Sequence, residues 1–277
     1  MLTLVNQLKD TTQLRWHRVH KFKSKICFSL DLGPYRIKVA ESYDEIVECF
    51  KLRNEVFNRE FRGLEWTVLD FDKFDYHFDH LLIIHRDSNQ VIGTYRLSCS
   101  TFSDKSYTEL EFDLTNLKLK EGPFLELGRA CIHKDFRKGT VISLLWRGII
   151  SYMNATGAKI LFGCSSLKIS NARDAALVYK LLQYEGFVSG EFLGWPTRKF
   201  KMDGLAHWLR LFKNGLNFEE TRQAEALISP LLNSYLRMGA KIAAEPAFDR
   251  DFDCIDILTV MKKEDLDRTV ANKLKLV

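Results

Sequence analysis

The segment running from Phe124 to Arg147 constrains the fold more than any other part of the chain. Phe124-Leu-Glu126-Leu-Gly128-Arg129-Ala-Cys-Ile reads as a strand, His133-Lys-Asp-Phe-Arg137-Lys138-Gly139 as a short basic turn, and the residues from Thr140 onward as an amphipathic helix. A turn that opens a helix aims backbone N–H groups and the positive end of the helix dipole at one spot, which suits an anionic phosphate. Arg137, Lys138, Gly139 and Thr140 are therefore candidate phosphate-binding residues. In a regular strand Glu126 and Arg129 point to opposite faces, so a shared site needs a break in the ladder. Gly128 permits one, since a glycine accommodates a bulge that re-aims side chains and frees N–H groups. Spacing alone leaves Glu126 open to two roles, a structural partner of a basic side chain or a proton acceptor.

The remaining pattern places this unit in an α/β protein. Residues 1–34 form a basic lead-in, with Arg15, Arg18, Lys21, Lys23 and Lys25 interleaved with Trp16, Phe22, Ile26 and Phe28. A strand is expected over 35–40 and a helix from Ser42, where Ser42-Tyr-Asp-Glu45 has the form of a capping box. Strands are expected over 80–86 and 90–99 around the Asp87-Ser-Asn89 turn, then over 124–133, 159–164 and 253–261. Helices are expected over 140–156, 171–186, 203–214 and 222–238. Strands alternating with helices predict a mixed central sheet flanked by helices. The expected organisation is a basic segment (1–34), a core (35–200) and a C-terminal helical and strand extension (201–277) packed on it.

Ile46, Phe50, Arg53 and Phe57 recur at helical spacing, which puts an arginine on an inward face. A buried guanidinium is very costly without a carboxylate, so a nearby acid is implied. The run Asp70-Phe-Asp72-Lys-Phe-Asp75-Tyr-His77-Phe-Asp79-His80 supplies several. It fails the calcium-loop template, having no Gly at the sixth position and Leu81 where the bidentate acid belongs. No metal is expected.

At 277 residues, 46% hydrophobic and 28% charged, the chain can bury a sizeable core. A formal charge of +5 suits an acidic protein, an anionic membrane surface or nucleic acid. Its six cysteines include no C-x-x-C pair and are expected to be reduced, Cys131 and Cys164 as core residues. No apolar run approaches the length of a bilayer span and the N-terminus lacks a signal-peptide core, so a cytoplasmic location is expected. Met202, Leu205, Trp208, Leu209 and Phe212 make an apolar stripe beside Arg198, Lys199, Lys201, Arg210 and Lys213. That stripe fits either core or a membrane interface, and peripheral contact with the inner membrane stays open.

Several motifs in order resemble one family. Leu52-Arg53-Asn-Glu55-Val-Phe57, Trp66, Asp70-x-Asp72-x-x-Asp75 with His80-Leu-Leu, Gly93-Thr-Tyr-Arg96-Leu and Glu126-Leu-Gly-Arg129-Ala-Cys-Ile are similar to the acyl-carrier-protein-dependent branch of the Gcn5-related N-acetyltransferase (GNAT) superfamily. Within it the match is to lyso-ornithine-lipid-forming and long-chain N-acyl amino acid synthases, and more distantly to acyl-homoserine lactone synthases. Pro230-Leu-Leu-Asn-Ser-Tyr235 and Glu245-Pro-Ala-Phe-Asp249 through Asp256 resemble the closing segment of that group. Coenzyme A users of the superfamily carry glycines where Thr140 and Ile142 stand here, a departure that suits the single phosphodiester of a protein-borne phosphopantetheine.

The resemblance implies transfer of a long-chain 3-hydroxyacyl group from acyl carrier protein, less so from acyl-CoA, to the α-amino group of an amino acid, ornithine first. It implies Glu126 as base with Gly128 and Arg129 at the catalytic strand, and Arg53, Asp72, Asp75 and Arg96 at the amino acid substrate. Phosphopantetheine would meet Arg137, Lys138, Gly139 and Thr140. No permanently bound cofactor is implied, and no nucleic-acid partner. The alternatives are N-acylation of glycine, glutamine or tyrosine, homoserine lactone synthesis, and a non-catalytic module that binds acyl carrier protein or lipid.

Overall fold

A computed structural model describes residues 22–64, 69–137 and 139–265. In chain order the strands and helices are β1 (Ser29–Leu32), β2 (Tyr35–Val39), α1 (Tyr43–Arg53), β3 (Asp79–His85), β4 (Gln90–Cys99), β5 (Phe112–Asp113), α2 (Thr115–Lys118), β6 (Phe124–Ile132) and α3 (Thr140–Thr156). They continue as β7 (Ile160–Leu167), α4 (Ala172–Tyr184), β8 (Trp195–Pro196), α5 (Leu205–Leu211), α6 (Phe218–Leu227), α7 (Pro230–Arg237), β9 (Lys241–Ile242), β10 (Ala247–Asp249) and β11 (Cys254–Lys262). The chain has the mixed α/β architecture expected of it. Its described residues divide into two compact units, those within 22–98 and 129–156, and those within 99–128 and 157–265. The division falls inside β6, between Gly128 and Arg129. Residues 201–265, read from sequence as an extension, belong with 157–200 in the second unit.

In the first unit β1, β2, β3 and β4 form an antiparallel run, and β6 follows β4 in the strand order. β1 lies in the stretch read as lead-in; Leu32 pairs with Tyr35 across a turn in which Gly33 adopts a φ of 58°. The capping box of α1 forms as its sequence requires, Ser42 accepting from the Glu45 N–H and Glu45 from the Ser42 N–H. Ile46, Cys49 and Phe50 of this helix pack on Leu82, Ile84 and Val91 of the sheet. Beyond Arg53 the helix widens into a π-helical segment, Asn54–Phe61, a form that clusters at functional positions. On α3, Gly148 sits where an added Cβ would come within 2.7 Å of Leu81 and 2.9 Å of Ile37. Only glycine lets this helix lie so close to β2 and β3.

In the second unit β6 pairs in parallel with β7 through Phe124–Glu126 and Ile160–Phe162, and β7 pairs antiparallel with β11 along its whole length. At Gly163 an added Cβ would run into the carbonyl of Leu127, so a side chain there would force the two strands apart. The helix expected over 222–238 is two helices. Ile228 is extended, Ser229 caps the next helix through the Leu232 N–H, and Pro230 occupies its first turn. A proline lacks the N–H that a continuous helix would need.

The apolar stripe around 202–212 is core. Leu205 and Phe212 are buried, and Met202, Trp208 and Leu209 pack against the same cluster as Ala175, Leu181 and Leu232. Among the described residues no helix is long and apolar enough to cross a membrane. Most of the basic lead-in, together with Trp66 and Lys138, lies outside the described residues.

Candidate active site

Arg53 does sit on the inward face of α1, 1% exposed. The acids that its burial required are Asp70 and Asp75. Arg53 donates to Asp70 Oδ1 from Nε at 2.9 Å and Nη2 at 2.6 Å, and to Asp75 from Nη1 at 2.7 Å and Nη2 at 3.1 Å. Arg96, from β4, donates to both oxygens of Asp72 at 2.8 and 2.9 Å and to Asp75 Oδ1 at 3.1 Å. Arg129 reaches Asp72 Oδ2 at 3.2 Å and stands over the Phe57 ring. The result is a lattice of arginines and aspartates in which each deep charge meets opposite charge. Such bidentate pairs fix geometry as well as charge.

Electrostatics follow from that packing. Burial opposes the ionised form of Asp75, but Arg53 and Arg96 outweigh it and hold the carboxyl far below the usual carboxylate range. Burial likewise opposes Asp72, where Arg96 and then Arg129 prevail and its pKa is lowered. His80 beside them is fully buried, and desolvation pushes it down to about 4, which keeps the ring neutral.

The family resemblance implied Asp72 and Asp75 at the amino acid substrate. The cations they hold here are the chain's own arginines. Asp75 and Arg53 are enclosed, whereas the Asp72 side chain is 26% exposed and that of Arg129 15%.

Glu126 belongs to the second unit. It is 4% exposed, and its carboxylate accepts from the Tyr107 N–H at 3.1 Å, the Thr108 N–H at 2.7 Å and the Thr108 hydroxyl at 2.7 Å. The carboxylate is anchored by neutral donors that fix its direction. Gly128 follows the last β6–β7 pair. The left-handed residue is Arg129, with φ 50°, and not Gly128. Arginine tolerates this αL backbone because its guanidinium is tied to Asp72, an anchor that offsets the roughly 1–2 kcal/mol such a conformation costs.

At the start of α3, Gly139 has φ 90° and its carbonyl accepts from the Ser143 N–H. The first turn carries no acidic residue, so no side-chain anion competes for its N–H groups. The Arg137 guanidinium bonds the Ile132 carbonyl and Glu60. Cys131 and Cys164 are held as thiols, burial being the main cause that raises both far above the ordinary range. Neither is suited to nucleophilic attack.

Sequence reasoning missed Glu111. It is 1% exposed, and burial, followed by Asp256, pushes its carboxyl up to about 9. Nothing in the local pattern of Thr108-Glu109-Leu110-Glu111 sets it apart, since the groups it meets lie far along the chain.

A mixed sheet flanked by helices is the architecture expected of a GNAT-type acyltransferase. Residues 52–147 match the family described as the acetyltransferase (GNAT) domain. An L-ornithine N(alpha)-acyltransferase from Rhodobacter capsulatus is 30% identical over 243 residues, 82% of this chain and 89% of that protein. One from Brucella abortus is 28% identical over 250 residues, 84% of this chain and 86% of that protein. Among solved structures, FeeM, an N-acyl amino acid synthase from uncultured soil microbes, aligns at 7% identity with a TM-score of 0.49, covering 84% of this chain and 93% of that one. The chain belongs to the GNAT-type N-acyltransferase family that includes these ornithine acyltransferases.

Proposed function

We propose that the protein moves a long-chain 3-hydroxyacyl group from acyl carrier protein to the α-amino group of L-ornithine, giving a lyso-ornithine lipid. The observation that carries the acceptor is the similarity, over more than four-fifths of this chain, to relatives named for ornithine Nα-acylation. The acyl carrier is read from the start of α3, where Thr140 and Ile142 stand in place of the glycines of a glycine-rich turn, and from the net charge of +5, which favours encounter with an acidic carrier.

The α-amino group arrives as an ammonium. Glu126 accepts one proton, directly or through a water, and the freed lone pair attacks the thioester carbonyl. The tetrahedral oxyanion is met by backbone N–H groups around Gly128. As the C–S bond breaks, one of the two protons still on nitrogen passes to the departing thiolate, leaving a secondary amide and a free thiol. Arg129 and Asp72, the more exposed members of the arginine–aspartate lattice, meet the acceptor's charged groups. Arg53, Asp75 and Arg96 hold those two in place. Arg137, Lys138, Gly139 and Thr140 receive the phosphopantetheine.

The test is to offer 3-hydroxyacyl carrier protein and the matching acyl-CoA separately, each with ornithine, glycine, glutamine, tyrosine or S-adenosylmethionine. The expected product by mass spectrometry is Nα-acylornithine, formed at least about tenfold faster from the carrier protein. Preference for another acceptor, or for acyl-CoA, would replace the corresponding half of the assignment.

A further inference from the structure

The second unit contains a group of acceptors, two of them buried and one partly so, for which the mechanism above has no use. Glu111 precedes β5, and its backbone is fixed by its N–H to the Thr108 carbonyl at 3.1 Å and by its carbonyl to the Thr197 N–H at 2.7 Å. Cys164 lies on β7 and Asp256 on β11, where Cys164 opposes Leu258 and Asp256 opposes Ser166. Residues two apart share a face of a sheet, so Cys164 and Asp256 are diagonal neighbours on one face. A carboxylate oxygen of Glu111, one of Asp256 and the Cys164 Sγ all lie within 4.8 Å of one another.

Glu111 Oε2 is fully buried and has no hydrogen-bond partner among the described residues. Ser166 donates to Asp256 Oδ1 at 2.6 Å. The charged groups that most affect Glu111 are Asp256 and Asp249, both acids. A buried carboxyl oxygen without a donor is costly. A compact cation with several N–H donors would remove that cost.

The geometry fits a primary ammonium. Three acceptors no more than 4.8 Å apart surround a central point from which one nitrogen reaches both carboxyl oxygens at ordinary N–H···O distances and the Cys164 sulfur as a weaker acceptor, and an ammonium has three donors to give.

The cluster also lies at a set spacing from the base. Glu126 opposes Phe162 on β7, two residues before Cys164, a step of about 6.6 Å along a strand. The Thr108 hydroxyl, which donates to Glu126 at 2.7 Å, also stands beside the Cys164 thiol. The α- and δ-nitrogens of ornithine are separated by five bonds, about 6 Å when extended.

We propose that Glu111, Cys164 and Asp256 receive the side-chain ammonium of a diamino acid acceptor while Glu126 works on its α-amine, so that this cluster determines acceptor specificity. The inference rests on ornithine being the acceptor and goes beyond it by naming the residues that select it.

The experiment compares kcat/KM for L-ornithine and for L-norvaline, which has the same carbon chain without the side-chain amine, in wild type, Glu111→Gln and Asp256→Asn. Folding is checked by circular dichroism. Wild type is expected to prefer ornithine by at least about 100-fold, as sites built to hydrogen-bond a substrate reject analogues lacking the group. Each variant is expected to bring the ratio within about tenfold, chiefly through a higher KM for ornithine. A folded Glu111→Gln enzyme that keeps the wild-type ratio overturns the proposal. So does a stoichiometric metal ion in the purified protein whose removal abolishes activity, since the cluster would then be its site. Wild-type enzyme that acylates neither compound refutes the ornithine reading itself, and the inference falls with it.

Discussion

The protein buries charge in two ways. In the first unit Arg53, Arg96 and Arg129 interlock with Asp70, Asp72 and Asp75, and each buried charge meets its opposite. In the second unit Glu111 is packed beside Asp256 and Cys164, its main charged neighbours are acids, and one of its oxygens has no donor among the described residues. A compensated lattice holds backbone in place: it ties α1, the loop at 70–75, β4 and the left-handed Arg129 to one another. In the second cluster burial and Asp256 keep the Glu111 carboxyl protonated. The contrast separates charges that shape the protein by pairing from an acid that its surroundings keep neutral.

Breaking the compensated lattice should have the largest effect. Arg53→Met leaves Asp70 and Asp75 buried without their main partner and is expected to destabilise the protein by roughly 3–5 kcal/mol, read from urea unfolding. A loss under about 1 kcal/mol would show that the lattice is not what holds α1 to the aspartate loop. Glu111→Gln should behave oppositely, costing little or nothing at neutral pH, because the carboxyl it replaces is already held neutral there.

The two regions should also respond to pH with opposite sign. Asp72 and Asp75 titrate below their ordinary value and His80 is depressed to about 4. The stability they confer is therefore present above the unfolded values and lost on acidification, for His80 between about 6.5 and 4. Glu111, raised to about 9 by burial and then by Asp256, contributes stability that is present below about 4.5 and lost as pH rises towards 9. Calorimetry from pH 4 to 9 should show both limbs. Glu111→Gln should flatten the alkaline one alone, and His80→Phe the acid one.

The smallest effect on stability is expected at Arg137, whose ion pair with Glu60 is exposed. Arg137→Ala should change unfolding free energy by less than about 1 kcal/mol while raising KM for the acyl donor several-fold. An unchanged KM would remove Arg137 from the phosphopantetheine site.

The sequence made much of this visible. The capping box at Ser42, the turn at Asp87-Ser-Asn89 and the helix beginning at Thr140 all have local chemical causes, and each stands where it was expected. The acid partners of Arg53 were legible for a thermodynamic reason, since an arginine on an inward face requires them. Three features were not legible. β1 is too short and too polar on one side to stand out from the basic residues before it. The break at Ser229-Pro230 was hidden by an apolar periodicity that runs on through both helices. Glu111 acquires its character from burial and then from Asp256, which lies far along the chain.

The central claim is that Glu126 takes the proton that allows the acceptor nitrogen to attack. The most direct measurement is the single-turnover rate of Nα-acylornithine formation from 3-hydroxyacyl carrier protein, wild type against Glu126→Gln, followed by mass spectrometry from pH 6 to 9. The account predicts a loss of about 10²–10⁴-fold at neutral pH, shrinking as pH rises and the free amine becomes available without a base. A Glu126→Gln enzyme that turns over at the wild-type rate across that range would contradict it.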